Sequence, residues 1–243
     1  MKNIILGAKV TRLIYFLVIC FISYSNANSV EERIQELLPP GIELNSYQDS
    51  ELGDFYAVNV ANNQVLYISK DFKYVFAGEL IKFESLAPKS LNDIYKQKYV
   101  VEALSRIDDN EAIKFISNSE SEIIRVFTDV KCAYCRIFHS EIDSYLSQGI
   151  SIYYYAFPRD GTQSDSFDDM TSAWCNSNRK SAITKLKLGE DITKLNCDNP
   201  VEQHFNTGRL MGVSGTPTII LEDGRMLTGY IPSEDLITII KNG

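Results

Sequence analysis

The chain has 243 residues, of which 44% are hydrophobic, and its formal net charge is -8. This length and composition allow one sizeable core, or one core with a small satellite domain, and exclude a fibrous or disordered protein. An acidic chain without a basic cluster is a poor match for nucleic acid or for an anionic membrane surface. We therefore expect no nucleic-acid partner.

The first 27 residues have the pattern of a secretory signal peptide. Lys2 and Arg12 precede the apolar run "LIYFLVICFIS", and the small residues Ser25 and Ala27 follow it. The alternative is an anchor that stays in the membrane. The apolar run of about 11 residues is shorter than the ~20 that span a bilayer. We therefore predict a cleaved signal peptide over residues 1–27.

The cysteines fit an exported protein. Cleavage would remove Cys20 and leave Cys132, Cys135, Cys175 and Cys197. An even number of cysteines in an exported chain indicates an oxidising compartment and disulfide chemistry.

Residues 28–87 are predicted to form a small α+β domain. Ser29 and Glu32 make a capping-box pattern at the start of a helix. Strands are predicted for "FYAVNVA", "QVLYISK" and "YVFAGELIKF", with Asn62 and Asn63 as a hairpin turn between the first two. A domain this small, without a cysteine staple, is marginal alone. We expect an edge strand to pair across a two-fold axis and make a homodimer.

Residues 88–112 are predicted to form a linker helix after a break at "LAPKS". Leu91, Ile94, Val101 and Leu104 recur at helical spacing, but the apolar stripe is thin, as in a solvated connector between two bodies. The alternative is an ordinary surface helix of a single domain, and the sequence does not decide between the two.

Residues 113–243 are predicted to form an α/β domain with the order β-α-β, a helical insertion, and α-β-β-α. The strands "EIIRVFTDV" and "ISIYYYAFPR" enclose a helix on which Cys135, Phe138 and Tyr145 share one side. The insertion holds Trp174, which we interpret as a packing residue. "TPTIILEDGRMLTGYI" is predicted to be a hairpin before the last helix.

The sequence "CAYC" lies where the first of these strands meets its helix. Unpaired N–H groups and the helix dipole at a helix N-terminus stabilise a thiolate, which favours Cys132 as the nucleophile. Cys135 lies one turn further along and is shielded. The pattern predicts an exposed nucleophile of low pKa and a resolving thiol, as thiol–disulfide exchange requires.

Three other uses of this cysteine pair are disfavoured. Zinc would need a second pair at short spacing, and the chain has only 2 histidines. A c-type haem needs histidine where Arg136 stands. A purely structural bridge between Cys132 and Cys135 would close a ring too small to constrain the unfolded chain much. We predict neither a metal nor another cofactor.

Four cysteines allow three pairings. If Cys132 pairs with Cys135, the remaining bridge joins Cys175 to Cys197. That bridge would close a loop of about 20 residues and stabilise the fold by about 3 kcal/mol in the loop-entropy model. The bridged segment is polar and has few core residues, so a structural disulfide is expected there.

A second motif, "GVSGTPTII", places Pro217 just before a strand. A proline preceded by Thr216 and flanked by glycines fits a cis X–Pro turn, although most X–Pro bonds are trans. Beside the dithiol, such a turn would leave the Thr216 backbone free to pair with an extended substrate chain. His139 is interpreted as a surface-helix residue, with an influence on the dithiol as the alternative, and His204 as structural.

Together these features resemble the DsbC/DsbG family of periplasmic thiol:disulfide isomerases, and its DsbC branch more closely. The resemblance lies in "VFTDVKCAYC", "YYAFPRDG", the separated Cys175 and Cys197, and "LMGVSGTPTIILEDGRMLTGYIP". "VLYISKDFKYVFAGELI" resembles the dimerisation domain of that family. The resemblance implies a V-shaped homodimer whose linker helices hold two thioredoxin-fold domains over an uncharged cleft.

The resemblance also implies roles for individual residues. Cys132 would attack and Cys135 would resolve, while Thr216, Pro217 and Tyr134 would contact the substrate. The implied partners are unfolded or misoxidised exported proteins, and a membrane electron donor of the DsbD type that keeps the dithiol reduced.

Two positions depart from the family pattern. Ala133 stands between the cysteines where the DsbC branch usually has glycine. Residues between the cysteines influence the redox potential, so we do not apply the redox potential of that branch to this chain. Val126 stands six positions before Cys132, where thioredoxins bury an acid, and Asp129 is interpreted as a helix cap. The proton acceptor for Cys135 is therefore open.

These observations predict a periplasmic, homodimeric protein disulfide isomerase and reductase. A second hypothesis within the enzyme class is a dithiol oxidase that introduces disulfides into new proteins. A hypothesis from another class is a dimeric periplasmic chaperone whose dithiol is incidental.

Overall fold

The computed structural model describes residues 29–84 and 87–242. The signal peptide predicted over residues 1–27 lies outside the described residues. Within the described ranges, no helix combines the length and the apolar character that crossing a membrane requires.

The N-terminal part is a helix packed on a 4-stranded antiparallel sheet of order β1-β2-β3-β4. Its elements are α1 (Val30–Leu37), β1 (Leu44–Asp49), β2 (Phe55–Val60), β3 (Gln64–Ser69) and β4 (Val75–Ala77). The predicted capping box is present: the Ser29 side chain accepts from the Glu32 N–H, and the Glu32 carboxylate accepts from the Ser29 N–H. β1 was not predicted, because "LNSYQD" is too polar to show a strand pattern.

The predicted hairpin turn between β2 and β3 is confirmed. Asn62 and Asn63 have φ values of 58° and 55°. Asparagine tolerates this left-handed conformation better than most residues, and a tight hairpin turn requires it.

The single long strand predicted over "YVFAGELIKF" is wrong. β4 ends at Ala77, and a separate strand β5 (Ile81–Glu84) pairs with another strand, β6 (Ala87–Ser90). β6 lies where the sequence predicted the break at "LAPKS". The Asn92 side chain causes the interruption. It donates to the Gly78 carbonyl and accepts from the Leu80 N–H, which removes both backbone groups from strand pairing.

The helix α2 (Leu91–Leu104) is shorter than the linker predicted to residue 112, and its buried face differs from the prediction. Ile94 and Val101 are exposed, whereas Tyr95 and Tyr99 are buried. Tyr95 lies in an apolar cluster of the N-terminal part, and Tyr99 lies in a cluster of the C-terminal part. The helix therefore contributes to the cores on both sides instead of crossing between them through solvent.

The C-terminal part is built on a 5-stranded sheet of order β11-β10-β8-β9-β7. β8 and β9 are parallel, and the other neighbours are antiparallel. The elements are β7 (Ile113–Phe115), β8 (Glu122–Thr128), α3 (Ala133–Ser140), α4 (Ile142–Ser147), β9 (Ile150–Ala156), α5 (Asp165–Trp174), α6 (Arg179–Leu188), α7 (Val201–Leu210), β10 (Thr218–Ile220), β11 (Met226–Thr228) and α8 (Ser233–Lys241). This order contains the predicted one and adds the short edge strand β7.

The helix after β8 is split in two at Glu141, where the sequence predicts one continuous helix. Its predicted buried side is confirmed, with Phe138 stacked on Tyr145 at a ring-centroid distance of 4.5 Å. All residues of β9 are buried, because helices cover both faces of the sheet. The carboxyl end of β8 thus delivers the chain from a rigid core directly to the N-terminus of α3.

The helical insertion carries a disulfide. Cys175 and Cys197 are bonded, with their Cα atoms 5.8 Å apart and a sequence separation of 22. Trp174 next to the bridge is buried, and its indole N–H donates to the Glu111 carbonyl at 2.9 Å. The predicted pairing and the packing role of Trp174 both agree with the structure.

Replacing Cys175 and Cys197 together with alanine is expected to lower the free energy of unfolding by about 3 kcal/mol, because the unfolded chain regains the entropy of an open loop. Urea unfolding followed by the fluorescence of Trp174, the only tryptophan, measures the change. The matched control replaces Cys132 and Cys135. A loss below about 1 kcal/mol, or an equal loss in the control, would contradict the loop-closure argument.

Candidate active site

The turn between β8 and α3 is held by the carboxylate of Asp129, which is fully buried. One carboxylate oxygen accepts from the Lys131 N–H at 2.8 Å and from the Ser166 hydroxyl at 2.5 Å. The other accepts from the backbone N–H and the side-chain Nε of Arg159, both at 3.1 Å. The Asp129 carbonyl accepts from the Cys132 N–H at 3.2 Å. This network fixes Cys132 at the helix N-terminus.

Cys132 is the N-cap residue of α3, and its carbonyl accepts the Arg136 N–H at 3.1 Å. Cys132 and Cys135 are free thiols, 2% and 1% exposed. The prediction of an exposed nucleophile is therefore wrong for this dithiol state. The Cys132 thiol turns inward and donates to the Thr216 carbonyl at 3.1 Å, while Tyr134 between the cysteines is 61% exposed.

The two thiols differ sharply in acidity. A hydrogen bond from the Cys135 thiol is the largest effect lowering the pKa of Cys132 to about 5, and the Thr216 side chain and the charge of Arg159 add to it against the cost of burial. Burial raises the pKa of Cys135, and its hydrogen bond to Cys132 raises it further. The first negative charge of the pair therefore settles on Cys132.

The predicted proline turn packs against the dithiol. The Thr216–Pro217 peptide bond is cis. The Thr216 hydroxyl is buried without a hydrogen-bond partner of normal geometry, and its dipole lowers the pKa of both cysteines. The Thr216 carbonyl accepts from Cys132 only while Cys132 is a thiol, so ionisation of Cys132 frees this carbonyl to pair with a substrate chain. The structure thus brings Cys132, Cys135, Thr216 and Pro217 together.

His139 is buried, and its interpretation as a surface residue is wrong. Its Nδ1 is hydrogen-bonded to the Tyr154 hydroxyl at 3.2 Å, and its Nε2 to the Thr184 hydroxyl at 3.0 Å. Burial, together with the charge of Lys187, lowers the pKa of His139 to about 4, so the ring is neutral at physiological pH. The sequence carried a signal for this burial, because His139 stands four residues after Cys135 on the same helix face.

His204 is also buried, as its structural interpretation requires. The Ala156 N–H donates to its Nδ1 at 3.4 Å, and its ring packs edge-on against Tyr155 at 5.0 Å. Burial is the main cause that lowers the pKa of His204 to about 3.

Lys187 is a site residue that sequence reasoning missed. It lies on α6, is only 3% exposed, and donates from Nζ to the Thr128 hydroxyl at 2.5 Å and to the Asp129 carbonyl at 3.1 Å. A lysine in the polar stretch "ITKLKLGE" gives no signal of burial, because lysine is ordinarily a surface residue.

Within residues 29–84 and 87–242, no group of three or more His, Cys, Asp or Glu side chains could hold a metal ion.

Comparison with protein families matches both parts of the chain. The model of the disulfide bond isomerase protein N-terminal domain matches residues 23–90. The model of the thioredoxin-like domain matches residues 109–243. The predicted fold class, an α+β N-terminal domain followed by a thioredoxin-fold domain, is confirmed.

Individual relatives agree with these matches. The thiol:disulfide interchange protein DsbC of Dickeya dadantii is 32% identical over 201 residues, which cover 82% of this chain and 82% of the relative. DsbC of Escherichia coli K12 is 29% identical over 224 residues, which cover 92% of each chain. A crystal structure of a disulfide interchange protein from Neisseria gonorrhoeae has a TM-score of 0.50 and 27% identity, covering 56% of this chain and 97% of that chain. With its buried dithiol at the N-terminus of a helix, this chain belongs to the DsbC family of thiol:disulfide interchange proteins.

Proposed function

We propose that the chain is a periplasmic, homodimeric disulfide isomerase in which Cys132 is the nucleophile and Cys135 the resolving thiol. The observation that carries this proposal is the placement of the pair, with Cys132 at the N-terminus of α3 and Cys135 buried in its first turn. Cys132 has a lowered pKa at a helix N-terminus, whereas burial raises the pKa of Cys135. A thiolate is the attacking species in disulfide exchange, so only Cys132 is ready to attack at neutral pH.

In the first step the Cys132 thiolate attacks one sulfur of a wrong disulfide in the client. A bond forms between Cys132 and that sulfur, the client S–S bond breaks, and the second client sulfur leaves as a thiolate. For isomerisation, another client thiolate then attacks the mixed disulfide and releases Cys132 unchanged. This cycle transfers no net electrons.

The reductive branch uses Cys135. Its sulfur attacks Cys132, which forms the Cys132–Cys135 disulfide, breaks the bond to the client and leaves the client reduced by two electrons. The proton of the Cys135 thiol must leave as the sulfur attacks. A donor dithiol, for which we propose a membrane protein of the DsbD type, returns two electrons to the pair by the same exchange chemistry.

Exposed apolar side chains around the dithiol support the proposal that the client proteins are unfolded. Tyr134 and Ile137 on α3 are both exposed large hydrophobic residues. The Thr216 carbonyl and Pro217 lie next to Cys132. An extended client segment can pair with the Thr216 backbone while its side chains rest on Tyr134, which recognises extended shape more than sequence.

Homodimer formation is supported by the N-terminal part. The edge of β4 is open, since its only partner in the sheet is β3 among the described residues. Large hydrophobic side chains are exposed on this strand and on either side of it in the chain, namely Tyr74, Val75, Phe76, Ile81 and Phe83. An open edge beside several exposed apolar side chains indicates a place for another chain, and a two-fold axis lets two copies pair with each other.

The pH dependence of Cys132 alkylation tests the nucleophile. The rate for the reduced protein is expected to be constant at neutral pH and to fall on acidification with a midpoint at about pH 5, because only the thiolate reacts. Thr216→Val removes the hydroxyl dipole and should move the midpoint upward, towards the ~8.5 of an ordinary thiol. Mass spectrometry of iodoacetamide-treated protein gives the rates.

The matched control is Thr171→Val, which removes another buried hydroxyl that has no hydrogen-bond partner among the described residues and that does not act on the pKa of either cysteine. It should leave the midpoint unchanged. A midpoint near 8.5 in the wild type would show an unactivated thiol and would remove Cys132 from the proposed role.

Charges on the exposed apolar side chains of β4 and β5 should dissociate the dimer. The double variant Val75→Asp/Phe83→Asp places two carboxylates on side chains that are 51% and 83% exposed, where the monomer tolerates them but a dry interface does not. Light scattering after gel filtration is expected to give a dimer for the wild type and a monomer for the variant. Ile116→Asp, at an exposed position of the C-terminal part, is the control and should stay dimeric. A monomeric wild type would refute the proposed assembly.

Reactivation of a scrambled ribonuclease with several disulfides separates the three functions. The isomerase proposal expects Cys132→Ala to abolish reactivation, and Cys135→Ala to retain part of it while mixed disulfides with the client accumulate. Undiminished rescue by Cys132→Ala would favour a chaperone. Faster oxidation of the fully reduced ribonuclease than reactivation of the scrambled form would favour an oxidase.

A further inference from the structure

Lys187 is buried next to the dithiol, whereas lysine side chains are ordinarily exposed to solvent. Its amino group points into the domain, donates to the Thr128 hydroxyl and the Asp129 carbonyl, and lies 5.5 Å from the centroid of the Tyr154 ring. No carboxylate forms an ion pair with Lys187 within the part of the chain that the structure describes. A buried lysine without a counter-ion is costly when charged, so burial favours its neutral amine.

The groups that face Lys187 come from every element around it. They are Cys132, Cys135, Arg136 and His139 on α3 and at its N-terminus, Asp129 in the turn after β8, and Tyr154 on β9. Burial lowers the pKa of Lys187 most, and Arg136 lowers it further, against the opposing effect of Cys135 and Asp129. The balance lowers the pKa of Lys187, so its ammonium group loses a proton more readily than that of a surface lysine.

The Thr128 hydroxyl connects Lys187 to the resolving cysteine. It accepts from Lys187 Nζ at 2.5 Å. The same hydroxyl lowers the pKa of the Cys135 thiol, which places it close to that sulfur, and Lys187 lowers this pKa as well when it carries its proton. Thr128 therefore lies between the Cys135 thiol and the amino group of Lys187, and rotation of its hydroxyl would let it pass a proton from one to the other.

The other ionisable groups nearby are poor acceptors for the Cys135 proton. Burial alone would raise the pKa of Asp129, but hydrogen bonds from Ser166, Arg159 and Lys131 hold it below its ordinary value, so this carboxylate is a weak base. Both ring nitrogens of His139 are already hydrogen-bonded, to Tyr154 and Thr184.

We propose that Lys187 accepts the proton of Cys135, through the hydroxyl of Thr128, when Cys135 resolves a mixed disulfide. The proton of the Cys135 thiol passes to the Thr128 oxygen, and the Thr128 proton passes to the neutral amine of Lys187. Cys135 then bonds to Cys132, the bond between Cys132 and the client breaks, and the client sulfur leaves as a thiolate. Lys187 returns the proton when the dithiol is reduced again.

This inference rests on the proposed roles of Cys132 and Cys135, and one experiment reports on both. The reduced protein is mixed with dithiobis(nitrobenzoate), an aromatic disulfide whose released thiolate is coloured. Attack by Cys132 releases the first thiolate and leaves a mixed disulfide. Attack by Cys135 releases the second thiolate. Loss of the first phase in Cys132→Ala tests the proposed function, whereas the rate of the second phase tests Lys187.

Lys187→Met is expected to slow the second phase about 100-fold at neutral pH, a usual contribution of a positioned general base, while the first phase remains. The pH profile should change as well. In the wild type the second phase rises with pH and then levels off once Lys187 is neutral. In the variant it continues to rise, because hydroxide from solvent has to take the proton. Lys185→Met, at an exposed position on the same helix, is the matched control and should behave as the wild type.

Two further variants separate proton transfer from charge and from folding. Lys187→Arg keeps a positive charge but cannot be deprotonated at these pH values, so it should be as slow as Lys187→Met. Thr128→Val should slow the second phase, and Thr128→Ser, which keeps a hydroxyl, should restore it. Recovery of the rate in Lys187→Arg, or an unchanged second phase in both Lys187→Met and Thr128→Val, would overturn the proposal.

Discussion

The interaction between the sulfurs of Cys132 and Cys135 is the one on which the chemistry of this molecule depends. It lowers the pKa of Cys132 and raises that of Cys135, so the pair holds one negative charge at neutral pH and holds it at the helix N-terminus. Burial enforces the asymmetry, because Cys135 has no solvent to stabilise a thiolate. In the proposed mechanism Cys132 is therefore a thiolate that can attack at neutral pH, whereas Cys135 can attack only after its proton has been removed.

The fold supplies this environment from three directions. β8 ends at Thr128 and turns through Asp129, which is anchored by Arg159. The chain segment before β10 adds Thr216, whose hydroxyl lowers the pKa of both cysteines. α6 packs against the site and contributes Lys187, which donates to the Asp129 carbonyl. The disulfide joins Cys175, at the end of α5, to Cys197, after α6, so it encloses α6 and stabilises the region that holds Lys187.

The sequence predicted the parts of the fold that leave a local signature. The capping box at Ser29, the asparagine turn, the buried strand β8 and the "CAYC" junction follow from short-range patterns. It failed where a distant group decides the outcome. Asn92 interrupts a strand that lies before it in the chain, and the Thr216 carbonyl draws the Cys132 thiol inward. Lys187 could not be predicted, because composition makes lysine a surface residue and only tertiary packing buries it.

The redox state of the dithiol in intact cells tests the proposed isomerase most directly. Cells are lysed in the presence of an alkylating reagent of high mass, and the tagged cysteines are identified. An isomerase that a donor keeps reduced should show Cys132 and Cys135 tagged, with Cys175 and Cys197 protected by their disulfide. If Cys132 and Cys135 are mostly protected as well, the pair is held oxidised in the cell, and the isomerase proposal is contradicted in favour of a dithiol oxidase.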